Sequence, residues 1–431
     1  MNIFSKDNKN KLLRIGKHQG AYFFAVFIYS AIPLLFLPVL TRYLAPSEYA
    51  NISIFRFYMA IANTLIGSSI SVIISKYFFK RDKTYIANLI GNSIVIIFAI
   101  TLLISIIIYI FNDFFVQLIN IPLFWILVIP WTSSFYIIFA IGLTVMRNQK
   151  KPKVFVKHKI GNSLINIFIS SVLVVVFIYG WQGRILGIVF SFFIAALLSL
   201  YYLNKNSFLA FNISYSQIKK ILKLFLPLVP NALQPIIIGQ IGIFFMQYYY
   251  NKDLLGIYSV GFQISFAIKL LFIAISMSWS PFVYEQLSKQ NMVKKIKLAR
   301  NYYLLALILI SGVAFIIIFS DIILKIISTP AYYDASKFIP WFAFGFFFIG
   351  MSIFIQPILI LKEKHKYISM VSIANMILLI FSNILLIKLF GYIGIAMAFT
   401  ISAFIQFFLY VFKAQIVFPL PWIKSLSIKN F

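Results

Sequence analysis

Cysteine is absent from all 431 residues, which excludes disulfides and thiolate metal sites. Carboxylates are scarce as well, with nine Asp and Glu against 38 Lys and Arg. Histidine occurs three times, at His18, His158 and His365, each next to or one residue from a lysine at an expected loop position, so no histidine metal cluster can be assembled. A phosphate-cradling glycine loop is lacking: "GSSISVIISK" from Gly67 does not have the P-loop spacing and falls within an expected helix. No cofactor and no metal is expected.

What is present is apolar. Hydrophobic residues make up 62% of the chain, charged ones 11%, and the mean hydropathy is +0.96. A water-soluble fold needs a polar skin that this composition cannot supply, so most of the surface is expected to face lipid. The formal net charge of +29 would suggest nucleic acid in a soluble protein. Its placement along the chain removes that reading.

About 20 apolar residues are needed to cross ~30 Å of hydrocarbon. That ruler gives twelve spans: Tyr22–Leu40, Ile52–Tyr77, Ile86–Phe111, Phe115–Met146, Ile160–Tyr179 and Ile185–Leu203, then Ile221–Tyr249, Leu254–Tyr284, Asn301–Ile327, Phe338–Leu361, Tyr367–Leu389 and Tyr392–Val417. The basic start, "MNIFSKDNKNKLLRIGKHQG", precedes an apolar run too long for a signal-peptide core and is read as a retained cytoplasmic segment. With that end inside, 30 Lys and Arg fall in cytoplasmic loops and tails. Six fall opposite: Arg42, Arg184, Lys252, Lys325, Lys337 and Lys388. This positive-inside alternation predicts both termini on the cytoplasmic side and assigns the excess charge to solvent and lipid headgroups.

The tripeptide Lys-His-Lys occurs twice, at Lys157 and at Lys364, 207 residues apart and each time before a long apolar run. The same shift places Gly187 on Gly394, and a shift of 206 places "LAPSEYANIS" from Leu44 on "YNKDLLGIYS" from Tyr250. With six spans per half, these matches predict two homologous bundles, 1–210 and 211–431, in parallel orientation. Each Lys-His-Lys then marks the cytoplasmic start of a fifth helix, either as a topological anchor or as a gate or headgroup contact.

Proline interrupts the first helix of each half: Pro33 and Pro38 in one, Pro227, Pro230 and Pro235 in the other. In lipid, the carbonyl left without its donor needs a neighbour or a wet cavity. The seventh helix also carries Asn231, Gln234 and Gln240, which fit a polar interior. The prolines are either static kinks or hinges. Arg56 in the second helix and Lys269 in the eighth are cations within expected spans, and all nine acids map to tails, loops or helix ends. An uncompensated cation at mid-membrane costs at least ~2.5 kcal/mol, so such residues face a cavity or a partner. Two cations without a fixed counter-charge suit a substrate that brings a phosphate or diphosphate, although Arg56 could also snorkel outward and Lys269 could be a water-solvated amine.

Three stretches, "FLPVLTRYLAPSEYANIS" (Phe36–Ser53), "LPLVPNALQP" with "LLGIYSVGFQIS" (Leu226–Pro235 and Leu254–Ser265), and "SNILLIKLFGYIGIAMAFTIS" (Ser382–Ser402), resemble the polysaccharide-export family of Wzx-type O-antigen and capsule-unit flippases. That family shares a superfamily with multidrug and toxin extruders and the peptidoglycan-precursor flippase. The resemblance implies an all-α carrier of two six-helix bundles that turns an undecaprenyl-diphosphate-linked oligosaccharide to the outer leaflet of a bacterial cytoplasmic membrane by alternating access. It also implies Arg56 and Lys269 as cavity cations, and a polysaccharide polymerase and a chain-length protein as partners. Where many members have an Asp-Arg pair in the seventh helix, this chain has Gly242-Ile243.

Rival readings are an ion-coupled multidrug exporter, a peptidoglycan-precursor flippase, a membrane polysaccharide polymerase and a structural membrane partner. The exporter usually needs intramembrane carboxylates, and the polymerase needs catalytic groups on large outer loops. Aromatic clusters such as "FFMQYYY" (Phe244–Tyr250) fit either an interfacial belt or sugar stacking.

Overall fold

The computed structural model describes residues 20, 27–288 and 291–425. The start of the first expected span, 22–26, and the tail cations Lys6 to Lys17 and Lys429 lie outside the described residues. Within them the chain is helical and contains no strand. That is the expected solution in lipid, where a helix satisfies its own backbone.

The elements run α1 (Phe27–Tyr43), α2 (Pro46–Ile66), α3 (Ile70–Phe78), α4 (Lys83–Ile110), α5 (Asn112–Ile119), α6 (Leu123–Asn148), α7 (Pro152–Ser171) and α8 (Gly180–Lys205). They continue with α9 (Tyr215–Phe225), α10 (Val229–Tyr249), α11 (Lys252–Ser288), α12 (Met292–Ile318), α13 (Ser320–Ile327), α14 (Ile339–Leu361), α15 (His365–Phe390), α16 (Ile393–Val417) and α17 (Trp422–Ser425). Among the described residues, ten helices are long and apolar enough to cross a membrane, or eleven with the bent pair α2 and α3 counted as one span. The shorter apolar α1 is the described part of the first expected span. Eleven of the twelve expected spans thus find a helix of membrane length in order, and the first is met over its described residues by the shorter α1.

The differences lie at the breaks. The second expected span was continuous over Ile52–Tyr77, but α2 and α3 meet at 44° across Gly67, Ser68 and Ser69, weak helix formers through glycine's backbone freedom and serine's competition for backbone groups. The fourth and ninth expected spans began or ended too widely, because α5 and α13 stand apart from α6 and α12 as eight-residue amphipathic helices. These two short helices sit 208 residues apart and carry Asp113 and Asp321 at matching first-turn positions, where an acid favours the helix dipole. Their spacing is close to the 206- and 207-residue shifts of the sequence matches. The fifth span starts at Pro152 rather than Ile160, so the first Lys-His-Lys lies inside α7, whereas Lys364 is the cap residue before α15.

By packing, the chain divides into two compact units, Met1–Leu44 with Asn51–Ile236, and Ala45–Ala50 with Ile237–Phe431. The repeat boundary at residue 210 falls in the loop between α8 and α9, while the packing boundary falls just after Pro235 in α10.

In the first unit, α7 and α8 pack on each other and α8 on α6. A Cβ on Gly187 would come within 2.1 Å of Ser170 Oγ, so only glycine permits that approach. Its repeat partner Gly394 does the same in the second unit, where a Cβ would lie 2.1 Å from the Leu386 carbonyl oxygen. The loop after α8 is pinned to α4 by Asn92, which is fully buried: its amide donates to the carbonyls of Asn88 and Asn212 and to Gln217 Oε1, and its oxygen accepts from Ser214 N at 3.0 Å.

The second unit has an aromatic core. Trp279 Nε1 and the Tyr302 hydroxyl both donate to the Phe354 carbonyl, at 2.9 and 2.7 Å, and their rings meet edge-on at 4.9 Å. Fully buried Phe354, Tyr410 and Phe272 complete this cluster. Burying Trp and Tyr requires that their polar atoms find partners, and a single carbonyl serves both.

Candidate functional site

A cavity of about 280 Å³ opens inside the first unit. It is formed by α1, α2, α6, α7 and α8. Arg56 and Asn63 reach it from α2, two turns apart on one face. Pro33, at its α1 wall, stands three residues before the break at Phe36, where α1 loses regular helical form and resumes at Leu37 with Pro38 in the first turn.

The polar wall comes from α7. Asn162, Asn166 and Ser170 recur at intervals of four, which puts them on one face of the helix. That face meets Arg184, which is only 3% exposed and also lines the cavity. Arg184 Nη1 donates to Asn166 Oδ1 at 2.5 Å and to Ser170 Oγ at 2.6 Å, and its guanidinium lies 5.2 Å from the Phe36 ring centroid. Asn162 and Asn166 in turn donate to the Ser191 carbonyl and hydroxyl, each at 2.9 Å. A buried guanidinium is thereby fixed in position by amides and a hydroxyl, with no carboxylate lining the cavity.

Arg184 corrects the sequence reading, which placed it among the six loop cations. Helix α8 begins at Gly180, five residues earlier than expected, because Gly180, Gln182 and Gly183 are tolerated in a first turn. The signal that could have found it was the spacing of Asn162, Asn166 and Ser170, a polar stripe in an apolar helix that announces a polar partner. Lys159, from the first Lys-His-Lys, is half-buried with its ammonium 4.7 Å from the centroid of the Tyr29 ring, and Tyr29 is itself part of the cavity wall.

Lys269 belongs to the second unit. It is half-buried on α11 with its ammonium 5.1 Å from the Phe266 ring centroid, a cation–π distance. Around it α11, α14 and α16 interlock through rings: Phe262 meets Phe342, Phe346 and Phe399 at 5.1 to 5.9 Å. Gly242 of α10 completes this packing. A Cβ there would stand 2.0 Å from the Tyr258 hydroxyl and 3.0 Å from Ile395, so the acidic side chain common at this place in the resembled family has no room.

The remaining expected residues scatter. Asn231 and Pro235 are exposed, while Gln234 and Gln240 are half-buried. Pro227 sits in a 3-10 turn, Leu226–Leu228, that joins α9 to α10, and Pro230 is the second residue of α10. Of the expected set, the cavity gathers Arg56 and Pro33. The acids stand where the sequence put them among the described residues: Asp82 caps α4, Glu48 and Asp253 lie in first turns, and Asp334 pairs with Lys337 at 2.9 Å. No group of three or more metal-ligating side chains occurs among the described residues.

The model of the polysaccharide biosynthesis protein family matches residues 15–286, and the MatE model matches residues 227–386. Among curated proteins none matches the chain. The fold is similar to the inward-facing conformation of a multidrug resistance MATE family transporter of the MOP superfamily, at TM-score 0.74 and 13% identity over 92% of this chain and 96% of that one. It is similar also to the lipid II flippase MurJ in its inward closed conformation, at TM-score 0.72 and 15% identity over 95% and 88%. The Vibrio cholerae MATE transporter VcmN aligns at TM-score 0.57 and 13% identity over 93% and 95%. The structure is therefore that of a multi-pass membrane protein whose fold is similar to those of the MATE transporters and of MurJ. Within that class, the chain belongs to the polysaccharide biosynthesis protein family.

Proposed function

We propose that this protein is a flippase that moves an undecaprenyl-diphosphate-linked oligosaccharide, an O-antigen or capsule repeat unit, from the cytoplasmic to the outer leaflet of a bacterial cytoplasmic membrane. The observation that carries the reading is the acid-free cavity lined by Arg56 and Arg184 in a chain of the polysaccharide biosynthesis protein family. Guanidinium groups bind phosphate oxygens bidentately, which suits a headgroup that carries its own negative charge.

A diphosphate-sugar headgroup cannot cross hydrocarbon, whereas its polyprenyl tail can stay in lipid. The carrier shields the headgroup alone. Arg56 in the first unit and Lys269 in the second neutralise the diphosphate, and the segments around Pro33, Pro38, Pro227, Pro230 and Pro235 bend as access alternates. Asn231, Gln234 and Gln240 contribute polar contacts for the sugars. With the inside negative, outward movement of an anion is favoured by ~2.3 kcal/mol per charge per 100 mV, so no bond needs to be made or broken by the protein. A polymerase and a chain-length protein then use the product on the outer leaflet.

A second reading is favoured by the fold similarity to MurJ: the cargo is the peptidoglycan precursor, which also has a diphosphate. The multidrug reading is disfavoured because cationic drugs would meet Arg56 and Arg184 without a facing carboxylate. The test is deletion of the gene, followed by leaflet assignment of lipid-linked oligosaccharide with a sugar-modifying reagent that cannot pass membranes. Complete units held on the cytoplasmic leaflet, rescued by the intact gene, support the flippase. Complete but unpolymerised units on the outer leaflet refute it, and accumulation of the peptidoglycan precursor alone transfers the cargo to the second reading.

A further inference from the structure

The 207-residue shift that aligns the two Lys-His-Lys tripeptides places Lys159 on Lys366, Asn166 on Ile373, Ser170 on Ile377 and Arg184 on Gly391. The corresponding faces of α7 and α15 carry different chemistry. On α7 the tripeptide is taken up by the protein itself: His158 Nδ1 meets the Val154 carbonyl at 2.9 Å, and Lys159 is half-buried against the Tyr29 ring. On α15 Lys364, His365 and Lys366 are all exposed. The proposed function gives this second tripeptide no task.

A groove of about 630 Å³, open on one side, runs along α15 from the tripeptide into the span. His365 and Lys366 stand at one end, Ser369 follows a turn later, and Met370, Ile373 and Ile377 continue the wall. Three features define what fits it. The first is charge: Lys364 and Lys366 are joined at this end by Lys413 of α16, whose ammonium lies 5.3 Å from the centroid of the Tyr367 ring, and exposed Glu363 offsets one of these cations. The second is the helix start. No side chain caps α15 at Lys364, whereas Asp82 caps α4 and Asn291 caps α12, so the first-turn N–H groups of α15 favour an anion there. The third is length. From His365 to Ile377 the helix rises ~18 Å at ~1.5 Å per residue. That is close to the ~15 Å of hydrocarbon in one leaflet. An acyl chain matches such a groove, and a polyprenyl chain, being much longer, overruns it.

We propose that the α15 groove binds one acidic phospholipid of the leaflet expected to be cytoplasmic, with its phosphate at His365 and Lys366 and an acyl chain along Met370, Ile373 and Ile377. Lys366 supplies the charge, and the His365 ring has an N–H to donate in either protonation state. Ser369, between the charged end and the apolar wall, stands at the depth of the ester groups, where its hydroxyl donates to an ester carbonyl. The site is independent of the cargo and holds for either flippase reading. It gives the second Lys-His-Lys a ligand in place of the packing that occupies the first.

Because the chain has no cysteine, Ile373→Cys provides a single attachment point in the groove for a benzophenone maleimide. The labelled full chain is placed in nanodiscs of equal parts phosphatidylglycerol and phosphatidylcholine and illuminated, and its adducts are identified by mass spectrometry. Phosphatidylglycerol adducts are expected to exceed phosphatidylcholine adducts about fivefold or more, the effect of one lysine on an acidic lipid. His365→Gln with Lys366→Gln in the same background is expected to bring the two lipids close to parity. Lys388→Gln, exposed near the other end of α15, is expected to leave the preference unchanged. Native mass spectrometry of the unlabelled chain gives a second reading, in which the parent retains one more phosphatidylglycerol than the double variant. Equal capture of the two lipids before any substitution, a preference that survives the double change, or equal retention in the unlabelled proteins overturns the proposal. So does an adduct to residues 1–19 of the chain itself, or displacement of phosphatidylglycerol by added undecaprenyl diphosphate, which assigns the groove to the cargo. Translocation is not read in any of these measurements, so their failure leaves the flippase reading standing.

Discussion

The two units differ in what they place between their helices. In the first, α2, α6, α7 and α8 surround a polar cavity with Arg56, Arg184 and a ladder of amides. In the second, the corresponding helices close on one another through Phe262, Phe342, Phe346 and Phe399, and the cation that remains, Lys269, lies against an aromatic ring. Gly187 and Gly394 each permit a close backbone approach, to Ser170 in the first unit and to Leu386 in the second. Among the described residues, the first unit therefore presents a polar cavity with two guanidinium groups and the second a ring-packed interior.

Substitutions that exchange the two characters break this comparison most sharply. Giving the first unit the second unit's residues, Arg184→Gly together with Asn166→Ile, is expected to lower translocation about tenfold or more, since the charge-assisted contact that Arg184 offers the headgroup is lost. The reciprocal change Ile373→Asn, on an exposed face of α15, should alter transport less than about twofold at unchanged expression. Transport assays on membranes with matched protein levels check both. A large effect of the reciprocal change would show that the second unit also reads the headgroup.

Next in size is Gly242→Asp, which restores the residue type of the resembled family against the Tyr258 hydroxyl. Overpacking and a buried charge together should cost about 3 kcal/mol or more and appear as a fall in folded yield. Pairing it with Tyr258→Ala makes room and should recover much of that loss, which a thermal melt in detergent measures. Smaller still is Tyr302→Phe in the aromatic core, expected to cost about 1 kcal/mol because Trp279 continues to donate to the Phe354 carbonyl. Last comes Lys337→Ala. Its bond to Asp334 raises the Lys337 pKa, so whatever the pair contributes is present at neutral pH and lost only as pH rises past the lysine range. Both side chains are about half exposed, at 48% and 62%, and the melting temperature at pH 7 should not change measurably.

Much of this architecture could be read from the residues. Long apolar runs separated by basic loops gave the spans, because hydrophobic length is written directly in residue type. The breaks were less legible. Gly67, Ser68 and Ser69 are compatible with a helix or with a bend, and the 44° turn is decided by packing. The short helices α5 and α13 merged with their neighbours because amphipathic and spanning segments share apolar residues. Of the cavity, Arg56 was legible as a cation inside a span. Arg184 was not, since the glycines beside it resemble a loop and its partners lie 14 and 18 residues upstream, on another helix.

The most direct test of the account is translocation in vesicles that contain only the purified protein and a fluorescent polyprenyl-diphospho-disaccharide, with a membrane-impermeant quencher added outside. The account predicts that the parent brings the protected half of the headgroups to the quencher, while Arg184→Gln and Arg56→Ala do so at least about tenfold more slowly. Protection that decays at the protein-free rate with the parent, or equally fast with parent and both variants, would contradict it.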